Sequence, residues 1–181
     1  MNFLEKVQAS RGLVIIYTGD GKGKTTAALG TAFRAMGRGL RVGMVQFIKG
    51  KWISGERMLA PKMPLLDFFV AGRGYVESPV PNFGRSHEAA RVVWNRAKEM
   101  ILSGEYPLVI LDEITFAVQF QYVSVEEILD LLSARPAFVS VIITGRDASP
   151  ELIEIADLVS EMKSIKHPYE KGELAKVAID Y

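Results

Sequence analysis

The chain has 181 residues, 49% apolar and 24% charged, enough for one sizeable core and too few for two ordinary domains with a linker. A formal net charge of +1 gives no global field for a polynucleotide, and the absence of cysteine excludes disulfides, thiolate metal sites and cysteine nucleophiles. No apolar stretch approaches the ~20 residues of a membrane span, so the expectation is one domain over 1–181, cytoplasmic, with no nucleic acid or membrane as partner.

Residues 1–12, MNFLEKVQASRG, lack a basic-then-apolar signal pattern and form an N-terminal segment. Leu13 to Tyr17 is a short continuous apolar run, as a strand covered on both faces should be, and it ends in the Gly-rich TGDGKGKTT. From Lys24, the apolar residues Leu29, Ala32, Phe33 and Met36 recur at helical spacing and predict a helix buried along that stripe, stopped by Gly37 and Gly39. Val42 to Ile48 and Leu65 to Val70 predict two further strands. Ala90, Val93, Trp94, Ala97 and Ile101 mark a long helix ending near Gly104, followed by the strand Leu108 to Leu111. Ser124 with Glu127 makes a capping box for a helix striped by Val125, Ile128, Leu129 and Leu132. Val139 to Ile143 is a fifth strand, Ser149 and Pro150 open another helix, and Leu158 to Ile165 is the candidate sixth strand. This alternation implies a mostly parallel sheet with helices on both faces, an α/β fold of the P-loop NTPase-like (RecA-like) kind, with ligands beyond the carboxyl ends of the strands.

Those strand ends carry the chemistry. In Thr18, Gly19, Asp20, Gly21, Lys22, Gly23, Lys24, Thr25 and Thr26, the glycines let successive N–H groups turn toward one point, and the following helix adds the positive end of its dipole. Lys24 is expected on the terminal phosphates and Thr25 on Mg²⁺. The usual motif has glycine where this chain has Thr18, its first glycine coming one residue later. Between Lys22 and Lys62 nine Lys or Arg face a single acid, Glu56, so the region is locally basic. Asp112 and Glu113 end the strand in LVILDEI, where phosphate-loop proteins keep an acid that orients Mg²⁺ and a second that acts on the reacting group. Arg146, in TGR after the fifth strand, is either a phosphate clamp or a surface ion-pair partner. His87 and His167 have no ligand-like companions and read as structural or surface histidines. Phe68, Phe69 and Tyr75, around AGRG, are core aromatics or an aromatic wall for a flat ligand.

In order, YTGDGKGKTTAALG, VQFIKG, FFVAGRGYV, LVILDEI, ARP with VIITGRDASPELIEIADLVSEM, and KHPYEKG resemble the phosphate-loop class of ATP:cob(I)alamin (corrinoid) adenosyltransferases, from about residue 12 onward. The resemblance implies attack of a reduced corrinoid's Co(I) on C5′ of ATP, with triphosphate expelled whole and ATP held with its distal phosphates deep in the loop. It implies that Asp20 through Thr26 contact the triphosphate and that Asp112 or Glu113 serves Mg²⁺ or the ribose. Lys24, Glu113 and Tyr75 are its catalytic candidates, and Tyr75, Gly74 and Phe69 its corrinoid contacts. Tyr75 stands where the family has Phe, and Glu77 where some members have Trp. A homodimer and an external reductase or reduced flavoprotein are the implied partners. Two other readings rest on the loop and Asp112-Glu113 alone: a P-loop ATPase or motor releasing ADP and phosphate, and a small-molecule kinase releasing ADP with a phosphorylated acceptor.

Overall fold

The computed structural model describes residues 3–47, 53–70 and 87–180. Six strands, β1 (Val14–Thr18), β2 (Val42–Gln46), β3 (Leu66–Val70), β4 (Leu108–Asp112), β5 (Ser140–Thr144) and β6 (Leu158–Glu161), form one sheet in the order β3-β2-β4-β5-β1-β6. Every pairing is parallel. Parallel neighbours need a crossover, and the crossovers bring helices onto both faces. The expected α/β, P-loop NTPase-like architecture is the observed one.

Because side chains alternate along a strand, each strand feeds two cores. Val14, Ile16, Val45, Leu111, Val141 and Ile143 pack on one face with α4 (His87–Ser103), α6 (Val125–Ala134) and α7 (Pro150–Ile155), through Trp94, Ile128 and Leu152 among others. Met44, Ile110 and Ile142 face the other way, onto Ala28 and Ala32 of α2 (Lys24–Met36). The apolar positions that predict α4 are all buried. The Ser124–Glu127 capping box of α6 is formed in both directions, and Ser149 caps α7 with Pro150 at its first position.

Several details differ from the sequence reading, β1 among them, which runs Val14–Thr18 and so starts and ends one residue later than expected. Phe33 is 62% exposed. Ala28 and Ala32 face the sheet instead, because a helix lying close over strands leaves room for small side chains and turns the larger one outward. Strand β5 runs one residue later than expected, so Thr144 is its last residue, and β6 stops at Glu161, well short of Ile165. Helices α1 (Phe3–Gln8), α3 (Gly55–Leu59) and α5 (Ile114–Gln119) are additions; each is too short for a periodic stripe to announce it. Ile48, at the expected end of β2, lies outside the described residues.

Register then sets where the site is. Gln46 is level with Asp112 and Val70, Tyr17 with Thr144, and Thr18 with Glu161, so all six strands end on one rim. Strand β5 lies between β1 and β4 and separates the strand that feeds the Gly-rich turn from the strand that ends in acids.

Candidate active site

Strand β1 delivers the chain to Thr18, and a turn through Gly19 and Gly23, both at positive φ, leads into α2. Gly23 offers no side-chain cap, so the first-turn N–H groups of this 13-residue helix are left for a ligand. Lys24, 7% exposed, donates from Nζ to the carbonyls of Gly19 (2.6 Å) and Gly21 (2.9 Å). Burial lowers its pKa, and the nearby Glu113 carboxylate pulls in the opposite direction. The ammonium is thereby held inside the turn by the loop's own carbonyls.

Asp112 is fully buried at the end of β4. Its Oδ1 accepts from the hydroxyls of Thr25 (2.9 Å) and Thr144 (2.7 Å), and its Oδ2 accepts from Gln46 Nε2 (2.9 Å). Burial pushes the carboxyl pKa up, while these three donors pull it down. A buried carboxylate is tolerable only with such compensation. Thr144 also accepts the backbone N–H of Glu113 at 2.9 Å. One hydroxyl on the intervening strand therefore fastens both acids, while Thr25 ties the loop helix to β4.

Glu113 has φ 58°, ψ 31°, a left-handed conformation that a side-chain-bearing residue adopts at a cost of about 1 kcal/mol or more. This turn between β4 and α5 separates two consecutive acids: Asp112 stays in the interior, while Glu113 lines the cleft beside Lys24 and Arg146. Burial raises the Glu113 pKa, as does Asp112, and Lys24 and Arg146 oppose that rise. Gly145, which precedes Arg146, is at φ 145°, and a Cβ there would fall 2.0 Å from Thr115 Oγ1. Only glycine lets the chain pass α5 and present Arg146 at the mouth, 3.4 Å from Asp20 Oδ1.

The remaining wall comes from residues 162–170. The Met162 carbonyl accepts the Gly21 N–H at 2.6 Å, and the Lys22 ammonium pairs with Asp180 at 2.5 Å. The resulting cleft, about 470 Å³, is lined by Asp20, Gly21, Lys22, Lys24, Glu113 and Arg146 on one side. Ser164, His167, Tyr169 and Glu170 form the other. Its size suits a nucleotide-scale ligand.

Compared with known proteins, residues 10–181 match the family model described as ATP:corrinoid adenosyltransferase BtuR/CobO/CobP. The chain belongs to the ATP:corrinoid adenosyltransferase family. It is 43% identical to the corrinoid adenosyltransferase of Escherichia coli K12, an alignment covering 97% of this chain and 89% of that protein. It is 42% identical to corrinoid adenosyltransferase CobA of Salmonella typhimurium LT2 with the same coverage, and 34% identical to that of Pseudomonas aeruginosa over 98% and 88%. Flagellar accessory protein FlaH from Methanocaldococcus jannaschii shares the fold alone, with TM-score 0.54, 13% identity, and coverage of 88% of this chain and 76% of that one. The enzyme is thus of the alkyl-transferase class, its activity the ATP-dependent adenosylation of a corrinoid. No described helix is long and apolar enough to cross a membrane.

Of the residues singled out from sequence in this adenosyltransferase, Asp20, Gly21, Lys22, Lys24, Glu113 and Arg146 share the cleft. Thr25 reaches it through Asp112. Thr18 is buried beneath the turn, where its hydroxyl accepts the Ala148 N–H at 3.3 Å, and Thr26 is exposed on α2. Phe69, half-buried on β3, lines a separate 260 Å³ cleft along the sheet edge with Arg57 and Arg96. Gly74, Tyr75 and Glu77 lie outside the described residues. His167, read as an ordinary structural or surface histidine, caps the turn at 168–171 by accepting the Tyr169 N–H and also lines the cleft. Gln46 and Thr144 carry no chemical signature in sequence; only their places at strand ends point to them.

Proposed function

We propose that the loop cleft holds the triphosphate of ATP while C5′ is presented to Co(I) of the corrinoid. Cobalt attacks C5′, the C5′–O bond breaks with its electron pair on oxygen, and triphosphate leaves whole. The observation that carries this reading is the convergence of Lys24, Glu113 and Arg146 on one cleft, with Thr25 hydrogen-bonded to the acid of β4. A leaving group that gains charge is best served by fixed donors aimed at it beforehand. The free amides of α2 and Lys24 are such donors, and the nearby acids Glu113, Asp20 and Asp112 oppose the effect of burial on the Lys24 ammonium.

Mg²⁺ fits the donor set. The Thr25 hydroxyl spends its proton on Asp112 and retains lone pairs for a hard cation. Asp112, sealed from solvent with both oxygens already accepting, suits contact through water, whereas Glu113 faces the cleft and can ligate or hold a ribose hydroxyl. When bound, the ion would neutralise the leaving triphosphate. No protein nucleophile is required.

Tyr75, with Gly74 and Phe69, belongs to the corrinoid side of this reading on the resemblance alone. A homodimer and an external reductant complete it; Leu158 and Val159, 43% and 39% exposed on the edge strand β6, offer apolar surface to a second copy. The test is the phosphate product. With MgATP and chemically reduced corrinoid the enzyme should release intact triphosphate and adenosylated corrinoid in equal amounts, whereas ADP would overturn the assignment of the loop to a leaving group.

A further inference from the structure

The open edge of the sheet carries a second cleft, about 260 Å³, remote from the Gly-rich turn. Strand β3 is its floor, α3 and the 3₁₀ turn Ala60–Lys62 form one wall, and Arg96 and Met100 of α4 form the other. Strands β2, β4 and β5 stand between β3 and β1, so at the ~4.8 Å spacing of neighbouring strands the cleft is about 19 Å from the strand that feeds the turn. Its lining is mostly apolar, Leu66, Phe68 and Met100 among it, and includes three charged side chains. Two are engaged: Asp67 accepts from Arg41 Nη2 at 2.7 Å, and Arg96 Nη1 donates to Glu99 at 3.0 Å. Arg57 differs, because its Nη1 is sealed from solvent and finds no acceptor among the described residues. Burial lowers the pKa of this guanidinium, but arginine remains charged at any physiological pH, so the unmet donor is a standing cost that a bound acceptor would remove. The backbone adds a donor on the same side. The Val42 N–H bonds the Leu65 carbonyl, which in a parallel pair assigns residues 65, 67 and 69 to β2 and turns the Phe68 N–H toward the open edge.

We propose that this edge cleft binds a small organic carboxylate with an apolar body, held by the Arg57 guanidinium against Leu66, Phe68 and Met100. The class follows from shape and charge. A guanidinium presents two parallel donors that match the two oxygens of a carboxylate. Arg57, Arg96 and Asp67 sum to a single positive charge, which one monoanion balances and a phosphate dianion exceeds. The apolar walls favour a hydrocarbon body over a bare inorganic ion, and 260 Å³ limits that body to about the size of one aromatic ring. The site is independent of how the loop cleft is used.

The test titrates the full chain with sodium benzoate, benzamide or inorganic phosphate, read by calorimetry and by NMR of the methionine methyls. Benzoate should saturate with Kd about 1 mM, a scale within reach of a ligand of about nine heavy atoms. Benzamide and phosphate should bind at least about tenfold more weakly. The Met100 methyl should shift, while that of Met162, beside Gly23, stays in place. Arg57→Met should weaken benzoate by at least about tenfold, and Arg57→Lys, which keeps the charge without the fork, by several-fold. Free of ligand, the Arg57→Met protein should melt no lower than the wild type, since it discards an unmet buried donor. Benzoate that does not saturate, a shift at Met162 in place of Met100, equal binding of benzamide or phosphate, or undiminished affinity in Arg57→Met would overturn the site. So would an Arg57→Met protein that melts several degrees lower, because the guanidinium would then already have its partner within the fold.

Discussion

Replacing Thr144 by Val removes one hydroxyl at nearly constant volume and so isolates what that oxygen does. Two partners lose it, the buried Asp112 and the half-buried Glu113. Asp112 Oδ1 loses a 2.7 Å donor, and the Glu113 N–H loses its acceptor at 2.9 Å. A lost hydrogen bond to a carboxylate and an orphaned amide each cost on the order of 1–3 kcal/mol, so the substitution should destabilise by about 2–4 kcal/mol after partial relaxation, or roughly 5–15 °C in Tm for a chain of this size. The pH dependence is the sharper test. The Asp112 carboxyl is already pushed above its ordinary 3.8 by burial, against the pull of Gln46, Thr144 and Thr25. A folded-state pKa above the unfolded value means that the stability associated with the protonated form is complete below the unfolded pKa and lost as pH rises through the folded one. Removing a donor raises the folded value further, so the penalty should be largest above the folded pKa and shrink as pH falls through it toward the unfolded value, where the loss at the Glu113 amide remains. Urea unfolding across that pH range, with Thr144→Ser as the variant that keeps the hydroxyl, measures this. An equal loss across the range, or a serine variant as pH-sensitive as the valine, would refute the account of Asp112 as a buried carboxyl whose pKa its three donors pull down against burial.

Lys24→Met keeps the stem of the side chain and discards its charge; adenosylation should fall by about two to three orders of magnitude, the usual effect of deleting one preorganised donor, read as product formed per enzyme under saturating corrinoid. Gly145→Ala should cost about 3 kcal/mol or more, because the new methyl meets Thr115 at a residue with φ 145°; an unchanged melting temperature would contradict the packing of α5 against this turn. Phe33→Ser, at a 62% exposed position, should move stability by less than about 0.5 kcal/mol, whereas a core role for Phe33 would make it one of the most damaging changes in α2.

The parts legible in the sequence are those whose signal is local. The capping box at Ser124, the Pro150 start of α7 and the five apolar positions of α4 each announce themselves within one or two turns, because the interactions that create them are a few residues apart. The Gly-rich turn between β1 and α2 is legible for the same reason. Phe33 misled because periodicity identifies a stripe but not how closely the helix approaches the sheet; the stripe shifts toward Ala28 and Ala32 when contact is close. Thr144, Gln46 and the wall at 164–170 were not legible as partners, since their roles depend on register across β5 and β2 and on the path of the chain after β6, which are set by long-range pairing.

Strand β1 finds both neighbours late: Val14 is level with Val141, and Ile15 with Leu158. Because loop-closure entropy must be spent before such contacts form, the strand that feeds the phosphate turn is among the last to be secured. During synthesis, the turn at 18–25 leaves the ribosome long before Thr144, Arg146 or Met162 exists to brace it. On the proposed reading of the cleft, nucleotide would meet its full set of contacts only in a nearly finished molecule, and by mass action it would reward completion of the fold rather than its beginning.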